Sequence, residues 1–327
     1  MIPFLTIAIP TFNRVRWLSL TLPAIIVQAS GVPSGAIEVV VSDNCSTDDT
    51  WTFLQEIAAR APFVRLNRNE ENIGGEANFH LLPKLATGRY IQMIGDDDLI
   101  KPGTLRRILD ALQDEPDYLI MNFDVYDGVL ENCKQANRLN VWEDEVFRDQ
   151  YDCLKRIDAM AMSFISTWVG RREFFNTIPD EKYRYFANWG MSVQADRFVG
   201  ISRFPKGKLI SVPCLNTREN SDFNEELFFP WFIHGSAEVL RYAEESRVLS
   251  EKYARTLKAR LLRRHALGRI RYQRRKGIFK RAETYRILRA DYGELWVFWL
   301  LCVPTMFTPG LGKMIGLARL LLGRADS

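Results

Sequence analysis

Short, solid runs of apolar residues punctuate the first third of the chain, and each gives way to a polar cluster. Phe4-Leu5-Thr6-Ile7-Ala8-Ile9 is the first, stopped by Pro10 and a polar turn. Ile37-Glu38-Val39-Val40-Val41 is the second and runs into Ser42-Asp43-Asn44, while Phe63–Leu66, Tyr90–Ile94 and Tyr118–Met121 follow. Runs of this length, rich in β-branched residues, predict buried strands. Between them the apolar spacing turns helical: Leu18, Leu22, Ile25 and Ile26 predict a helix over 15–29, and others are predicted over 48–59, 74–86 and 104–113. Ser46 or Thr47 is placed to cap the second helix, with Asp48 and Asp49 favourable in its first turn.

Strands alternating with helices at this interval predict an α/β fold with a mostly parallel central sheet covered on both faces. Such sheets bind ligands beyond the carboxyl ends of their strands. Three polar clusters fall there, Thr11-Phe12-Asn13-Arg14, Asp43-Asn44 and Asp96-Asp97-Asp98, so a single shared site is expected. Neither a GxGxxG fingerprint nor a GxxxxGK[ST] loop occurs. Beyond residue 125 the pattern loosens: a helix is expected within 143–162, and Trp168–Gly170 and Leu209–Pro213 read as strands.

Gly95-Asp96-Asp97-Asp98 is the most informative of the clusters. Three consecutive carboxylates repel one another, and a divalent cation with phosphate oxygens would offset that repulsion. A solvated acidic turn ahead of the helix near Thr104 is the plainer alternative. The order of motifs weighs against it. Leu5 to Arg14, Val39 to Asp48, Asn72-Ile73-Gly74-Gly75-Glu76-Ala77-Asn78-Phe79 and Ile94 to Asp98 occur in sequence. Together they resemble the family 2 glycosyltransferases of the GT-A (Rossmann-like) fold, in particular the bacterial branch with abequosyltransferases and other O-antigen sugar transferases. The resemblance covers residues 4 to about 122.

The resemblance implies roles for residues at matching positions. Pro10, Thr11, Asn13 and Arg14 would line the nucleotide pocket, and Asp43 would meet the base edge. Asn72 and Gly74 would lie near the ribose and pyrophosphate. Asp96 would face the ribose or donor sugar, with Asp97 in the same donor-binding set, and Asp98 would ligate Mn2+ or Mg2+. Such cations often bind through one or two carboxylates plus phosphate oxygens, so one protein carboxylate suffices. The family's catalytic base usually belongs to a Glu-Asp pair ahead of a glycine-containing strand. Here Ala195-Asp196-Arg197 precedes Gly207 to Pro213, with the interval of eleven from Asp196 to Gly207 kept and the Glu replaced by Ala195. Asp196 is therefore the expected base, with Asp180, Glu181 and Glu219 as competitors. Trp168 and Trp189 are candidates to stack on an acceptor sugar but suit a core better. His234 can approach a metal or phosphate, although a lone histidine beside Phe232 and Ile233 is more often structural.

Charge divides the chain. Residues 251–327 hold 18 Lys and Arg against 5 Asp and Glu, a local net of +13, leaving −9 for residues 1–250. In 251–289 the basic residues interleave with apolar ones at amphipathic spacing. Leu295 to Val303 is apolar but short of the roughly 20 residues needed to span a bilayer, and Pro304 and Pro309 interrupt before Ile315–Leu322. The region 251–322 is therefore expected to lie on an anionic membrane surface. A helical subdomain or a homo-oligomer contact is the alternative, and no nucleic-acid motif is present. The 327 residues suggest two domains or one with an appendage. The expected division is 1–125 for the nucleotide-sugar half, 126–250 for the acceptor and catalytic-base half, and 251–327 for the basic helical extension.

Five scattered cysteines without a CxxC pair, and no basic leader before the first strand, point to a reducing cytoplasm. The expected activity is metal-dependent, inverting transfer of a sugar from a nucleotide-diphosphate donor to a glycan. An undecaprenyl-linked oligosaccharide at the cytoplasmic membrane face is the natural acceptor. A nucleotidyltransferase would carry a glycine-rich basic loop after the first strand, where Pro10 to Arg14 stands instead. A nucleotide-sugar-binding scaffold without catalysis is the non-enzymatic alternative. Asp43 can accept from uracil, thymine or cytosine, so UDP, dTDP and CDP donors all remain.

Overall fold

The computed structural model describes residues 2–175, 189–218 and 225–307. They fall into two compact units, one of 2–175 with 192–218 and the other of 189–191 with 225–307. Asp180, Glu181, Glu219, Pro309, Ile315–Leu322 and the side chain of Trp189 lie outside the described residues.

The first unit is a helix-covered sheet. Its strands are β1 (Leu5–Thr11), β2 (Ile37–Asp43), β3 (Val64–Arg68), β4 (Tyr90–Met93), β5 (Leu99–Ile100), β6 (Tyr118–Tyr126), β7 (Cys133–Gln135), β8 (Glu145–Phe147), β9 (Trp168–Arg171) and β10 (Gly207–Arg218). They lie in the order β3-β2-β1-β4-β9-β6-β10-β5, with β7 on β6 and β8 on β10. The longer pairings, β1 with β2, β1 with β4, β2 with β3 and β6 with β10, are parallel. The short strand β9 enters antiparallel between β4 and β6.

Alternation decides the packing. Leu5, Ile7 and Ile9 of β1 and Val39 and Val41 of β2 join one core with Leu18, Leu22 and Ile25 of α1 (Val15–Ser30). Leu54 of α2 (Thr50–Arg60) and Leu105 and Ile108 of α4 (Thr104–Ala111) complete it. Each such side chain contributes roughly 1.5–3 kcal/mol on burial. Helix α3 (Gly75–Leu85) packs over β1 and β2 outside that core. Both faces are thereby covered, and the strand ends are left for the polar loops. At the opposite end Glu38 ties β1 to β3: it accepts from Thr6 Oγ1 at 2.8 Å and Arg65 Nη1 at 2.7 Å.

Two short helices, α5 (Gln150–Arg156) and α6 (Ala159–Ser163), fill the region where one was expected. They are capped by the carboxylates of Asp149 and Asp158. Helix α7 (Trp189–Arg203) carries Asp196. Trp168 is buried, stacked on Tyr118 at 5.6 Å and on Phe174 at 6.2 Å, so it is a core residue.

In the second unit the described residues form helices and the turns between them. Its helices are α8 (Gly235–Glu245), α9 (Glu251–Leu261), α10 (Leu267–Lys276), α11 (Arg281–Tyr292) and α12 (Val303–Phe307), with wider turns at Phe228–His234, Leu262–Ala266 and Phe298–Cys302. Phe228, Ile233, Leu240, Leu262, Ile270, Leu288, Phe298 and Met306 are buried within it. Gly277, at φ 73°, ends α10 in the left-handed conformation that favours glycine. Among the described residues no helix is long and apolar enough to cross a membrane.

Candidate active site

The loop after β1 is stitched to the loop after β2. Asn13 adopts φ 53°, a left-handed conformation that asparagine tolerates. Its Oδ1 accepts from the Thr47 amide at 2.8 Å and the Asp48 amide at 3.3 Å. Its own amide donates to Ser46 Oγ at 2.9 Å, and the Arg14 amide donates to Thr50 Oγ1 at 3.1 Å. These links correct the capping expectation. Helix α2 begins at Thr50 with Asp49 in the cap position and no side-chain cap bond, and Asp48 accepts from the Thr50 amide. Ser46 is taken instead by Asp43, a partner three residues back, and Thr47 by Asn13 across the loops.

Asp43, at the end of β2, is fully buried. Both its oxygens accept from the Ser46 amide, the Ser46 hydroxyl donates to Oδ1, and Arg68 Nε lies 3.4 Å from Oδ2. Beside it runs an amide network. Asn44 donates to Asn72 Oδ1 at 2.7 Å, and that oxygen also accepts from the Gly74 amide at 2.9 Å. Asn44 Oδ1 accepts from the Ile73 amide and from Asn69. Asn78 on α3 accepts from Ser42 Oγ and donates to the Ser42 carbonyl. The Asn72–Gly74 segment, with Gly74 at φ 87°, is thus held over the end of β2 while remaining exposed.

The carboxylate run follows β4, next to β1. Thr11 Oγ1 donates to Asp96 Oδ2 at 2.8 Å, and Thr21 Oγ1 of α1 donates to the Asp96 carbonyl at 2.9 Å. Asp97 Oδ2 accepts from Arg218 Nη2 at 2.7 Å and Nε at 3.0 Å, with Arg14 Nη1 at 3.8 Å. Asp98 accepts from the Ser166 hydroxyl and from the Arg218 amide at 3.2 Å. Ser166 Oγ also accepts from the Gly95 amide at 2.9 Å, which fixes the start of the turn. The three acidic residues do not cap α4, whose cap position is Gly103.

Neither Arg218 nor Ser166 was found by the sequence reading. Arg218 arrives through a bulge. Strand β10 follows β6 in register to Ile210↔Met121, slips, and resumes at Leu215↔Phe123. Pro213, which cannot donate to a ladder, falls inside the slip. Past it, Asn216 pairs with Leu99 of β5, and two residues later Arg218 meets Asp97 and Asp98. Trp17 of α1 supports the guanidinium, 4.7 Å from its ring centre.

The two guanidiniums, of Arg14 and Arg218, gather on Asp97, and among the described residues Asp96 and Asp98 have no direct cationic partner of their own. Asp96 and Asp98 keep part of their surface open, yet the protein around them withdraws solvent. Burial first, and then the charge of Asp97, push both carboxyls up to about 7. Asp98 is raised further by Asp96, and hydrogen bonds from Thr11 and Ser166 oppose the rise. An oxygen-only donor set of this kind fits a hard divalent cation. Among the described residues no three or more His, Cys, Asp or Glu side chains are grouped so as to hold a metal ion by themselves. The remaining ligands would have to come from a phosphate-bearing substrate or water.

Asp196 is buried on α7. Its neighbour Arg197 is not part of a surface pair. The Arg197 guanidinium is buried, donates to the carbonyls of Met162 and Ile165, and lies 4.8 Å from the Trp168 ring. Ile165 precedes Ser166, so the helix bearing Asp196 is tied to the segment that holds Asp98. One turn before Asp196, Ser192 contacts His80 Nε2 at 3.2 Å, which joins α7 to α3. In the helical unit His234 contacts Asp291 at 2.6 Å and Glu238 at 3.6 Å, a structural placement.

Comparison with known proteins gives the family and the fold. An abequosyltransferase of Salmonella typhimurium is 31% identical over 114 residues, 35% of this chain and 34% of that protein. A chondroitin synthase of Escherichia coli is 29% identical over 113 residues, 34% of this chain and 16% of that protein. These alignments span about a third or less of the relatives' own length. In fold, TarS 1–349 of S. aureus aligns with a TM-score of 0.63 at 15% identity, over 88% of this chain and 81% of that one. TarS 1–349 has also been solved with UDP-GlcNAc. The family model "Glycosyl transferase family 2" matches residues 6–179, more than half the chain, and the protein belongs to that family.

Proposed function

We propose that this protein is a metal-dependent, inverting glycosyltransferase. It moves one sugar from a nucleotide-diphosphate donor to a lipid-linked glycan, such as an undecaprenyl-linked oligosaccharide, in assembly of a bacterial surface polysaccharide of the O-antigen type. The observation that carries the reading is the acidic run at the carboxyl end of β4. It faces Arg14 and Arg218 and holds two carboxyls that burial, and then the charge of Asp97, raise to about 7. The abequosyltransferase relative supports sugar transfer, and the nucleotide-sugar complex of TarS supports the donor class.

In this reading Pro10, Thr11, Asn13 and Arg14 line the nucleotide pocket, and Asp43, covered here by Ser46 and Arg68, receives the base edge once Ser46 gives way. Asn72 and Gly74 border the ribose and pyrophosphate, Asp96 and Asp97 face the donor, and Asp98 holds Mn2+ or Mg2+. The bound cation supplies Lewis-acid stabilisation of the departing diphosphate. Arg218 exchanges Asp97 for phosphate oxygens. The acceptor hydroxyl attacks C1 and passes its proton to Asp196 as the nucleoside diphosphate leaves. Residues 1–125 form the donor half and 126–250 the acceptor half. The region 251–322 keeps the enzyme on the cytoplasmic membrane face.

The test is release of nucleoside diphosphate from a panel of UDP-, dTDP- and CDP-sugars, with Mn2+ and a bacterial lipid extract as acceptor. One donor is expected to turn over. Asp196→Asn should cut kcat at least about a hundredfold while leaving donor affinity within a factor of about three. Absence of turnover with every donor by folded protein would contradict the proposal.

A further inference from the structure

The helical unit carries one face that its own core does not explain. From residue 296 to 307 the chain buries Val297, Phe298, Cys302 and Met306 completely. The other side of the same segment leaves Trp296 59%, Trp299 46%, Leu300 64% and Phe307 46% exposed. Large apolar side chains repeated along one helical stripe are costly in water unless something covers them. Guanidinium groups bracket the stripe. Arg263 lies 5.9 Å from the Trp296 ring at one end, and Arg281 lies 5.5 Å from the Phe307 ring at the other. The indole N–H of Trp299 is satisfied by the Gly293 carbonyl at 2.8 Å, so the ring can leave water without stranding a donor.

At the Phe307 end the stripe borders an open depression of about 340 Å³, lined by Arg274, Gly277, Phe279 and Arg281. Two links set it against the stripe: Arg274 donates to the Thr305 carbonyl, and Arg281 packs on Phe307. Two guanidiniums beside an aromatic floor suit a phosphate diester whose tails continue into an apolar phase.

We propose that this face docks on an anionic phospholipid bilayer. Trp296, Trp299, Leu300 and Phe307 enter the acyl boundary, and one lipid phosphate sits between Arg274 and Arg281. The inference deepens the membrane-associated reading above and rests on it. Charge complementarity selects the occupant. Residues 251–327 carry a net +13, and the apolar stripe ends in guanidiniums at both sides, as interfacial segments do. A second copy of the chain would bring the same positive charge against itself.

Full-length protein is mixed with vesicles of phosphatidylcholine alone, or of phosphatidylcholine with phosphatidylglycerol, each with and without brominated acyl chains. Wild type is expected to sediment with the anionic vesicles and to lose tryptophan emission to the brominated lipid. Trp296→Ser with Leu300→Ser should remove more than about half of that quenching, Trp299 supplying the remainder. Arg274→Gln with Arg281→Gln should weaken anionic-vesicle binding on the order of thirtyfold, while the two Lys replacements retain most of it. Lys252→Gln with Arg255→Gln, both exposed on α9, removes the same two charges and should change binding about fivefold or less. Melting curves check that each variant is folded. Wild-type binding unaltered by the stripe and arginine variants would overturn the assigned face while leaving membrane association standing. Absence of wild-type binding to either vesicle would overturn both. Concentration-dependent dimers lost in Trp296→Ser/Leu300→Ser, without vesicle binding, would give the face to a second copy and overturn the proposal.

Discussion

Glu38 sits at the amino end of β2, far along the strand from Asp43, and its role is to hold the sheet. Burial alone would raise its carboxyl. The Thr87 amide and hydroxyl, the Thr6 hydroxyl and the Arg65 guanidinium together outweigh that and hold it below its ordinary value of 4.5. A depressed folded-state value means stability that is present above the unfolded value and lost as pH falls through the folded one. Glu38→Gln is therefore expected to cost about 1–3 kcal/mol at pH 7. The gap between wild type and variant in denaturant unfolding should close as pH drops below about 4.5. A gap that stayed constant would mean the carboxylate charge contributes nothing. Residues of this local kind were legible in the sequence when their chemistry was concentrated, as in Asp96-Asp97-Asp98, or punctuated a strand end, as in Asp43. Ser166 and Arg218 were not. Each reaches the acidic run from 68 and 120 positions away, and nothing in a lone serine or a strand-end arginine signals such a meeting.

At the scale of elements, the first 122 residues announced themselves because each strand is a solid apolar run and each parallel crossover needs a helix between. The later strands are short, and their partners are distant in sequence. Strand β9 fits between β4 and β6 in reverse, and β10 outlasts the Pro213 that seemed to end it by using a bulge. Gly207 opens β10 against the flat of the Tyr118 ring, leaving no room for a Cβ. That ring cannot give way, being fully buried and packed on Trp168 and Phe174. Gly207→Ala is expected to destabilise the protein by about 1–3 kcal/mol, measured as a lowered denaturant midpoint at unchanged slope. A neutral substitution would show that β10 can shift its register here, and with it the position of Arg218.

At the scale of the whole molecule, acidic and basic residues are segregated along the chain. The sheet unit concentrates carboxylates where a cation and diphosphate would neutralise them, and the helical unit concentrates arginines around an apolar face. The segregation was plain from composition, whereas the exposed stripe was not. Leu295 to Val303 was expected at a membrane surface as a whole run, and only the helices of residues 225–307 show which side of it is buried and which is left open. The central claim is that the acidic run is a cation-assisted nucleoside-diphosphate site, and calorimetry tests it most directly. UDP, dTDP, CDP and GDP are titrated with and without Mn2+ into wild type and into Asp98→Asn. The account predicts one nucleotide bound only with Mn2+ and at least about tenfold weaker in the variant. Equal binding with and without the metal, untouched by Asp98→Asn, would contradict it.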